Sequence, residues 1–360
     1  MGKKKLSEYR ILLLKSNFSG GFLAFDEFVN VIEDCCNKYN IKCFISNTVQ
    51  SAIDILEKEK IDFSISIGEY KYLDENGTKL YDRFKIHNYL WIMDNPYKLN
   101  LDTKSMYNHL ITIDKEFLTM LGINRSDYLS LPMVFPSSTY KNSNRINAIF
   151  VPMKINSLNF IKEKIENDID KDNINLFIEN FNYDKSYIIQ FKSFLESHVV
   201  NNNQSFFRLT NSYIKAKKRI MVLNSIKHFD LYLLSKDLIN EIDNPKVHYI
   251  PDCNFKETCE LMKKYKYVLS VSPNYDFALH ERMSYAIKMG AILLCDNISI
   301  AQELNMPGTY SYSELNQIDN IIINLNDNVV DSQVESLNKY EFEKIINEII
   351  KNYERITNEL

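Results

Sequence analysis

The chain of 360 residues lacks several patterns that identify common classes of protein. Its six cysteines include no C-x-x-C pair, and neither they nor the six histidines have the spacing of zinc ligands. The absence of a G-x-G-x-x-G fingerprint removes the main support for a nicotinamide or flavin enzyme. Lysine and arginine, 43 in all, do not exceed the 47 acidic residues, so no basic excess indicates a nucleic-acid-binding protein.

Long apolar runs are absent as well. The longest contain about five residues, far fewer than the roughly 20 that a membrane-spanning helix needs. The opening residues MGKKKLSEYR contain no apolar segment of the kind found in a signal peptide. We therefore expect a cytoplasmic protein without a transmembrane segment, in which the cysteines are buried free thiols.

The chain does contain a regular alternation of strand-like and helix-like segments. Within residues 1–147, short apolar runs such as RILLLK at 10–15 alternate with amphipathic stretches such as 22–39. This alternation predicts a doubly wound parallel sheet with right-handed crossovers, which is a Rossmann-like domain. The length of the chain leaves room for two such domains.

The second half begins less regularly. Residues 148–218 contain a short strand-like run and then mostly helical patterns, which we interpret as a linker strand and a helical insert. The strand–helix rhythm resumes with RIMVL at 219–223 and predicts a second Rossmann-like domain over 219–335, with another helix and strand-like run at 314–324. Residues 336–360 predict a closing amphipathic helix. The predicted fold class is therefore α/β with two Rossmann-like domains.

The most informative segment is YVLSVSPNYDFALHERMSYAIKMGAILLCDN, residues 267–297. It predicts a strand, a helix that begins near His280 and ends at Gly290, and a second strand. In an open α/β sheet, ligands bind beside the carboxyl ends of the strands, and the start of a helix attracts phosphate. Arg282 can offer a fork of donors to a diphosphate oxygen. Glu281 can accept hydrogen bonds from the hydroxyls of a sugar or a ribose.

This segment resembles the nucleotide-sugar-binding signature of GT-B-fold glycosyltransferases, especially the CgeB-like group related to the glycosyl transferases group 1. The matching positions are His280, Arg282, Ala286, Gly290, Leu293, Leu294 and Asp296. One position departs from the signature: Tyr285 stands where the family has a glutamate that binds the nucleotide ribose. The ribose contact therefore passes to Glu281, or the nucleotide preference differs.

The resemblance implies a glycosyltransferase that moves a sugar from a nucleotide-diphosphate donor to a hydroxyl-bearing acceptor. In that family the C-terminal domain binds most of the donor, and the N-terminal domain binds most of the acceptor. The expected partners are a nucleotide sugar and a glycan, a protein or a lipid-linked acceptor, without nucleic acid. No cofactor is expected beyond the donor, and the resemblance implies that the reaction is metal-independent.

A D-x-D sequence, at Asp168 and Asp170, bears on that implication. It lies in the predicted helical insert, away from the ends of the strands. We interpret it as surface charge rather than as a metal site. The insert itself is a candidate region for acceptor specificity.

Two further donor-side candidates follow predicted strands. Lys227 comes shortly after the predicted strand 219–223, where it can reach a phosphate or lie in a solvated loop. Asn274 resembles the residue of a loop that lies against the donor sugar or phosphate, although asparagine is also a common turn residue. Residues 250–254 (IPDCN) resemble the stretch that meets the nucleotide base.

The N-terminal half offers its own candidates at predicted strand ends. Gly20 and Gly21 follow the first strand, and adjacent glycines let backbone N–H groups approach a ligand or simply form a turn. Glu69 and Asp94 end later strands, where they can reach the acceptor. Asp94 is the preferred catalytic base for deprotonating an acceptor hydroxyl, with Glu281 the second catalytic candidate and a helix cap the alternative role of Asp94.

Two other functions are compatible with the same pattern. A nucleotide-sugar epimerase of this fold would use one nucleotide sugar and no acceptor. A non-enzymatic binding protein of the two-lobed periplasmic type would bind a nucleotide or a sugar, and the lack of a signal-peptide pattern weighs against it. Formation of an isomer from the nucleotide sugar alone would distinguish the epimerase from the transferase.

Overall fold

The computed structural model describes most of the chain. The described residues are 4–15, 24–67, 73–92, 104–120, 128–142, 144–271, 278–296 and 299–359. The chain divides into two compact units, and each unit is built on a parallel sheet of six strands. Unit 1 comprises Met1–Ser137, Asn254–Lys256 and Lys339–Leu360, and unit 2 comprises Ser138–Cys253 and Glu257–Asn338. No helix in the described ranges is long and apolar enough to cross a membrane.

Unit 1 contains the first sheet, in the order β2-β1-β3-β4-β5-β6. Its strands are β1 (Arg10–Leu14), β2 (Lys42–Ser46), β3 (Phe63–Ile67), β4 (His87–Ile92), β5 (Asn108–Thr112) and β6 (Leu129–Ser130). The helices between them are α1 (Ala24–Lys38), α2 (Val49–Lys58), α3 (Leu80–Phe84) and α4 (Lys115–Met120). Strands β3, β4 and β5 are buried along their whole length, as a parallel sheet covered on both faces requires.

Unit 2 contains the second sheet, in the order β12-β11-β10-β7-β8-β9. Its strands are β7 (Ile146–Val151), β8 (Leu231–Leu234), β9 (Val247–Ile250), β10 (Tyr265–Ser270), β11 (Ile292–Asp296) and β12 (Thr309–Tyr310). The strand order reverses between β7 and β10, which are neighbours although five helices and two strands separate them in the sequence. Such a reversal is the point at which open α/β sheets bind their ligands.

The helices of unit 2 include four that connect β7 to β8. The helices in chain order are α5 (Leu158–Glu166), α6 (Lys171–Glu179), α7 (Tyr187–Ser197), α8 (Asn203–Ser225), α9 (Phe255–Lys264), α10 (Glu281–Lys288), α11 (Ser299–Glu303), α12 (Ile318–Ile323) and α13 (Asn328–Leu337). The predicted helical insert therefore corresponds to α5, α6, α7 and the first part of α8.

The C-terminal helix α14 (Phe342–Glu359) packs within unit 1. The hydroxyl of Tyr89 on β4 donates to Asn352, at 2.9 Å, and the ring of Tyr353 lies 5.3 Å from that of Phe63. These contacts cover one face of the first sheet. The two parallel sheets and this C-terminal helix confirm the predicted fold class, α/β with two Rossmann-like domains.

The prediction of a strand at residues 219–223 is wrong. This run belongs to α8, whose last turns are buried on several sides, at Ile220, Val222 and Leu223 among other positions. A short apolar run cannot be assigned to a strand or a buried helix by periodicity alone. The strand that follows is β8, which we did not predict, and the predicted boundary at residue 219 falls inside α8. Residues 314–324 form a 3₁₀ turn and α12 rather than a strand.

The interpretation of Asp170 as surface charge is also wrong. Its side chain is buried, with 2% of the residue exposed. The carboxylate accepts hydrogen bonds from the backbone N–H groups of Asn201 and Asn202, at 2.9 and 2.8 Å. Burial opposes ionisation of Asp170, but these donors outweigh it and hold its pKa below the ordinary value. Asp170 therefore fixes the chain that enters α8.

A substitution of Asp170 tests this role. We expect Asp170→Asn to lower the free energy of unfolding of unit 2 by about 1–3 kcal/mol, because the N–H groups of Asn201 and Asn202 lose a charged acceptor. Urea unfolding measures the loss, and faster hydrogen exchange at Asn201 and Asn202 should accompany it. Asp172→Asn is the matched control, since Asp172 is exposed in the first turn of α6. Equal effects of the two substitutions would contradict the assignment.

Gly290 ends α10 in a conformation that other residues rarely adopt. Its φ is +77°, and a Cβ atom there would overlap the carbonyl oxygen of Tyr140 and approach the guanidinium of Arg145. The N–H of Tyr140 donates to the carbonyl of Lys288, at 2.7 Å, so the chain that enters unit 2 lies directly on the end of α10. The close approach therefore requires glycine, as the helix-ending pattern predicts.

Two glycines separate the effect of φ from the effect of this close approach. Gly77 has a φ of +75° and open space around its Cα. We therefore expect Gly77→Ala to lower the free energy of unfolding by about 1–2 kcal/mol, which is the cost of holding alanine in the left-handed conformation. We expect Gly290→Ala to cost roughly 1–3 kcal/mol more, because the added methyl overlaps backbone. Urea unfolding of both variants measures the difference. Equal losses would show that the contact with Tyr140 is unimportant.

Candidate functional site

The start of α10 lies at the carboxyl edge of the second sheet, after β10. His280 is the N-cap residue, with φ −63° and ψ 145°, and the helix runs from Glu281 to Lys288. The N–H of Arg282 donates to Nδ1 of His280, and the N–H groups of Met283 and Ser284 donate to the His280 carbonyl. The dipole of the helix still makes this end attractive to an anion. The predicted helix at His280 is therefore present where the sequence pattern indicated it.

His280 and Glu281 form a buried pair. The Nδ1 atom of His280 lies 2.9 Å from Oε2 of Glu281, and both side chains are largely buried, with 8% and 11% exposed. Burial opposes ionisation of Glu281, but the His280 ring and the Arg282 charge outweigh it and lower its pKa to about 2. Burial lowers the pKa of His280, against the attraction of Glu281 and with further lowering by Arg282 and Lys215. Nδ1 of His280 therefore lies between the ionised Glu281 carboxylate and the backbone N–H of Arg282, which donates to it at 3.4 Å.

These ionisation states limit what Glu281 can do. A carboxylate with a pKa of about 2 is a weak proton acceptor at neutral pH, since general bases work best when their pKa lies near the working pH. An ionised carboxylate is an acceptor of hydrogen bonds only. The geometry therefore favours Glu281 as an acceptor of hydroxyl hydrogen bonds over Glu281 as a catalytic base.

Arg282 presents an unpaired guanidinium. Its Nε and Nη1 atoms are buried, and neither has a hydrogen-bond partner among the described residues. Leaving buried charged donors unpaired is costly, so their natural partner is a group that binds there. A planar guanidinium pairs best with a phosphate or a carboxylate.

Helix α8 adds basic residues that we did not predict as part of the site. Arg219 is buried, and its Nη1 atom donates to the carbonyl of Lys154, directly after β7. The charge of Lys215 lies close enough to His280 to lower its pKa. Both residues lie in the run KAKKR at 215–219, and its basic character was the signal that could have revealed them.

At the same edge, Lys154 forms an ion pair with Asp252, at 2.9 Å. Asp252 follows β9, in the stretch that resembles the base-contacting segment of the family. Asp296 ends β11, is buried, and accepts a hydrogen bond from the Tyr312 hydroxyl at 3.3 Å. The carboxyl ends of β7, β9, β10 and β11 thus carry charged side chains. In the described ranges, no three His, Cys, Asp or Glu side chains come together as a metal site requires.

Two of the predicted donor residues lie elsewhere. Lys227 follows α8 and precedes β8, so it lies at the opposite edge of the sheet, where its backbone N–H donates to Asp319 at 2.8 Å. The reason for expecting it near phosphate, a preceding strand, does not exist. Tyr285 lies in the middle of α10 with 1% of the residue exposed, a position in the core.

Five predicted site residues lie outside the described part of the chain. These residues are Gly20, Gly21, Glu69, Asp94 and Asn274. The proposed roles of the glycines and of Glu69 towards the acceptor, of Asp94 as a base and of Asn274 towards the donor stay predictions.

The low pKa of Glu281 makes an acid-dependent contribution to stability. Because the folded-state pKa is about 2 and the ordinary value is 4.5, the contribution is complete above pH 4.5 and is lost as the pH falls towards 2. We expect Glu281→Gln to be less stable than the wild type by a few kcal/mol at pH 7, with the difference narrowing below pH 4.5. Urea unfolding across this range measures it, and Glu335→Gln, at an exposed position of α13, is the control. A difference that stays constant down to pH 3 would contradict the assignment.

No family model matches the chain, and no curated protein is similar to it in sequence. Solved structures do resemble it. The sucrose-phosphate synthase from Thermosynechococcus elongatus is 8% identical, with a TM-score of 0.52 over 98% of this chain and 100% of that one. An alpha-glucosyltransferase in complex with UDP and a 13-mer DNA is 12% identical, with a TM-score of 0.51 over 95% of this chain and 99% of that one.

A further match is TarM, at 11% identity and a TM-score of 0.44 over 85% of this chain. The chain spans 58% of the length of TarM. The two structures with the higher scores share the arrangement of two Rossmann-like domains, at identities that show the fold alone. The resemblance that the sequence indicated is confirmed at that level: the chain has the GT-B fold of glycosyltransferases.

Proposed function

We propose that the protein is a glycosyltransferase that moves a sugar from a nucleotide-diphosphate donor to a hydroxyl-bearing acceptor. The observation that carries the proposal is the unpaired guanidinium of Arg282 at the start of α10, beside the point where the strand order of the second sheet reverses. A diphosphate supplies the acceptor oxygens that this guanidinium lacks.

The neighbouring cations strengthen the proposal. Lys215 and Arg219 come from α8, and the dipole of α10 adds partial positive charge at the same end. When the sugar leaves, negative charge develops on the diphosphate, and fixed positive groups in a buried site stabilise that charge most effectively. We propose that these side chains, rather than a metal ion, carry this part of the catalysis.

The chemistry requires one bond to break and one to form. The bond between the anomeric carbon and the diphosphate oxygen breaks, and its electron pair stays with the diphosphate. The oxygen of an acceptor hydroxyl forms the new bond to the anomeric carbon, and its proton passes to a base. Asp94 remains the candidate for that base, and Glu281 is assigned to a hydroxyl of the donor sugar or ribose.

The comparisons support a donor of this class at the level of the fold. The alpha-glucosyltransferase of similar structure holds UDP, and the sucrose-phosphate synthase is named as the synthase of a sugar phosphate. UDP, GDP and dTDP, with UDP first, are therefore the probes with which to begin. Nucleosides without phosphate provide the comparison that isolates the diphosphate.

Substitution of Arg282 tests the site. We expect the wild type to bind at least one of UDP, GDP and dTDP in calorimetric titrations, and Arg282→Ala to weaken that binding by about 10- to 100-fold, because charged hydrogen bonds to phosphate are lost. Binding of the nucleoside alone should change little. Arg282→Lys should recover only part of the affinity, since an ammonium cannot reproduce the planar fork.

Arg355→Ala on α14 removes the same charge from unit 1 and serves as the control for net charge. Failure of all three nucleoside diphosphates to bind the wild type would overturn the proposed function. Undiminished binding to a folded Arg282→Ala variant would overturn the site. Conversion of a nucleotide sugar to its isomer, without any acceptor, would replace the transferase by an epimerase.

A further inference from the structure

A second group of polar side chains lies beside the proposed diphosphate site, at the carboxyl ends of β11 and β12. We call it the Lys218 cluster, and its members are Tyr183, Lys218, Tyr310, Tyr312 and Asp296. Tyr312 is at its centre. The Tyr312 ring lies 5.0 Å from Nζ of Lys218 and 5.8 Å from the ring of Tyr183, and its hydroxyl donates to Asp296. The cluster joins the helical insert to the second sheet.

Lys218 is a buried residue that has no anionic partner among the described residues. Only 4% of the residue is exposed, and it makes no hydrogen bond or ion pair with the described residues. Its recorded contacts are with two aromatic rings, that of Tyr312 and that of Phe181, at 5.0 and 6.0 Å. Contact with aromatic rings stabilises a cation only in part, and a buried ammonium without a counter-ion is unfavourable. A bound anion would remove this deficit.

Two tyrosine hydroxyls of the cluster also lack partners. The hydroxyls of Tyr183 and Tyr310 are buried, and neither forms a hydrogen bond within the described part of the chain. Burial raises the pKa of both tyrosines, so both are protonated at neutral pH and can donate. Together with Lys218 they make the cluster rich in donors, which favours a ligand that only accepts hydrogen bonds.

Asp296 does not neutralise Lys218. No ion pair joins the two side chains, and the Tyr312 hydroxyl donates to the Asp296 carboxylate. Arg219, buried next to Lys218 on α8, supplies a second positive charge to the same group and acts on Tyr312. Lys218 and Arg219 thus place two positive charges around Tyr312, against the single carboxylate of Asp296, so the group carries a net positive charge. Asp184 is exposed, and its carboxylate accepts from the backbone N–H groups of Tyr312 and Ser313.

The cluster lies within the reach of a sugar attached to the proposed diphosphate. Lys215, close to His280, and Lys218 are three residues apart on α8, about 4.5 Å along the helix axis. Three residues correspond to nearly one turn, so both side chains point to similar sides of the helix. A sugar ring next to a diphosphate held by Arg282 would extend by a similar distance.

We infer that the Lys218 cluster binds the sugar moiety of the donor and selects a sugar that carries a carboxylate, such as a uronic acid. The inference rests on the proposed function, since it takes the start of α10 as the diphosphate site. The carboxylate accepts from Nζ of Lys218 and from the Tyr310 hydroxyl, and Asp296 accepts from a hydroxyl of the ring. A neutral sugar would leave the charge of Lys218 uncompensated.

Matched pairs of donors test the inference. The pairs are UDP-glucuronate with UDP-glucose and GDP-mannuronate with GDP-mannose, with UDP and GDP as references. For the base that the wild type binds, we expect the acidic sugar to bind at least about tenfold more tightly than its neutral partner, a factor equivalent to about 1.4 kcal/mol. Calorimetric titration of the full chain measures all these affinities.

Lys218→Met should remove the preference without changing the affinity for UDP or GDP. It should not lower the melting temperature, because it removes an unpaired buried charge and keeps the volume of the side chain. Lys217→Met, at the adjacent and less buried position, is the matched control for charge. Tyr310→Phe removes only the unpartnered hydroxyl and should reduce the preference several-fold, so the inference stays testable if Lys218→Met fails to fold.

The other possible results contradict different parts of the inference. Equal affinity for acidic and neutral sugars in the wild type, with UDP or GDP binding intact, would overturn the carboxylate subsite alone. A preference that survives in both Lys218→Met and Tyr310→Phe would place the selecting group elsewhere and overturn the assignment. Absence of binding by both UDP and GDP and all four sugars would overturn the proposed function, and the subsite with it.

Discussion

The position of α10 depends on one guanidinium at the other end of the helix. Arg145 donates to the carbonyls of Met262 and Tyr265, at 3.0 Å each, and to that of Met289 at 2.6 Å. These carbonyls lie at the ends of α9 and α10, where helices leave acceptors without partners. A single side chain therefore fixes two crossover helices against the sheet. The start of α10, with Arg282, faces the carboxyl edge because its end is held at the amino edge.

The sequence carried enough information to predict the fold but not every element. The strand-like run predicted at 10–15 coincides with β1 to within one residue, because buried parallel strands are short apolar runs bounded by polar turns. Residues 219–223 have the same composition and are helical. There, packing on several sides of α8 decides the conformation, and a local pattern does not reveal it.

The same error hid half of the candidate site. The helix at His280 and the close turn at Gly290 could be predicted, because capping and positive φ have local signatures. Lys218 and Arg219 were missed, because the basic run 215–219 gains its role only from a helix that begins at Asn203 and passes the carboxyl edge of the sheet on its way to β8. They lie near Asp296 only in the folded chain, and no spacing in the sequence indicates this. Asp170, predicted as surface charge, is buried for a similar reason.

The buried ammonium of Lys218 also affects which substitutions are retained at that position during evolution. At Lys218, most neutral residues of similar volume would spare the protein a desolvated charge, so mutation and selection for stability alone would drift away from lysine. Persistence of lysine there in a lineage would then record selection for what it binds. In this fold, a residue that lowers stability and yet persists during evolution therefore indicates selection for binding.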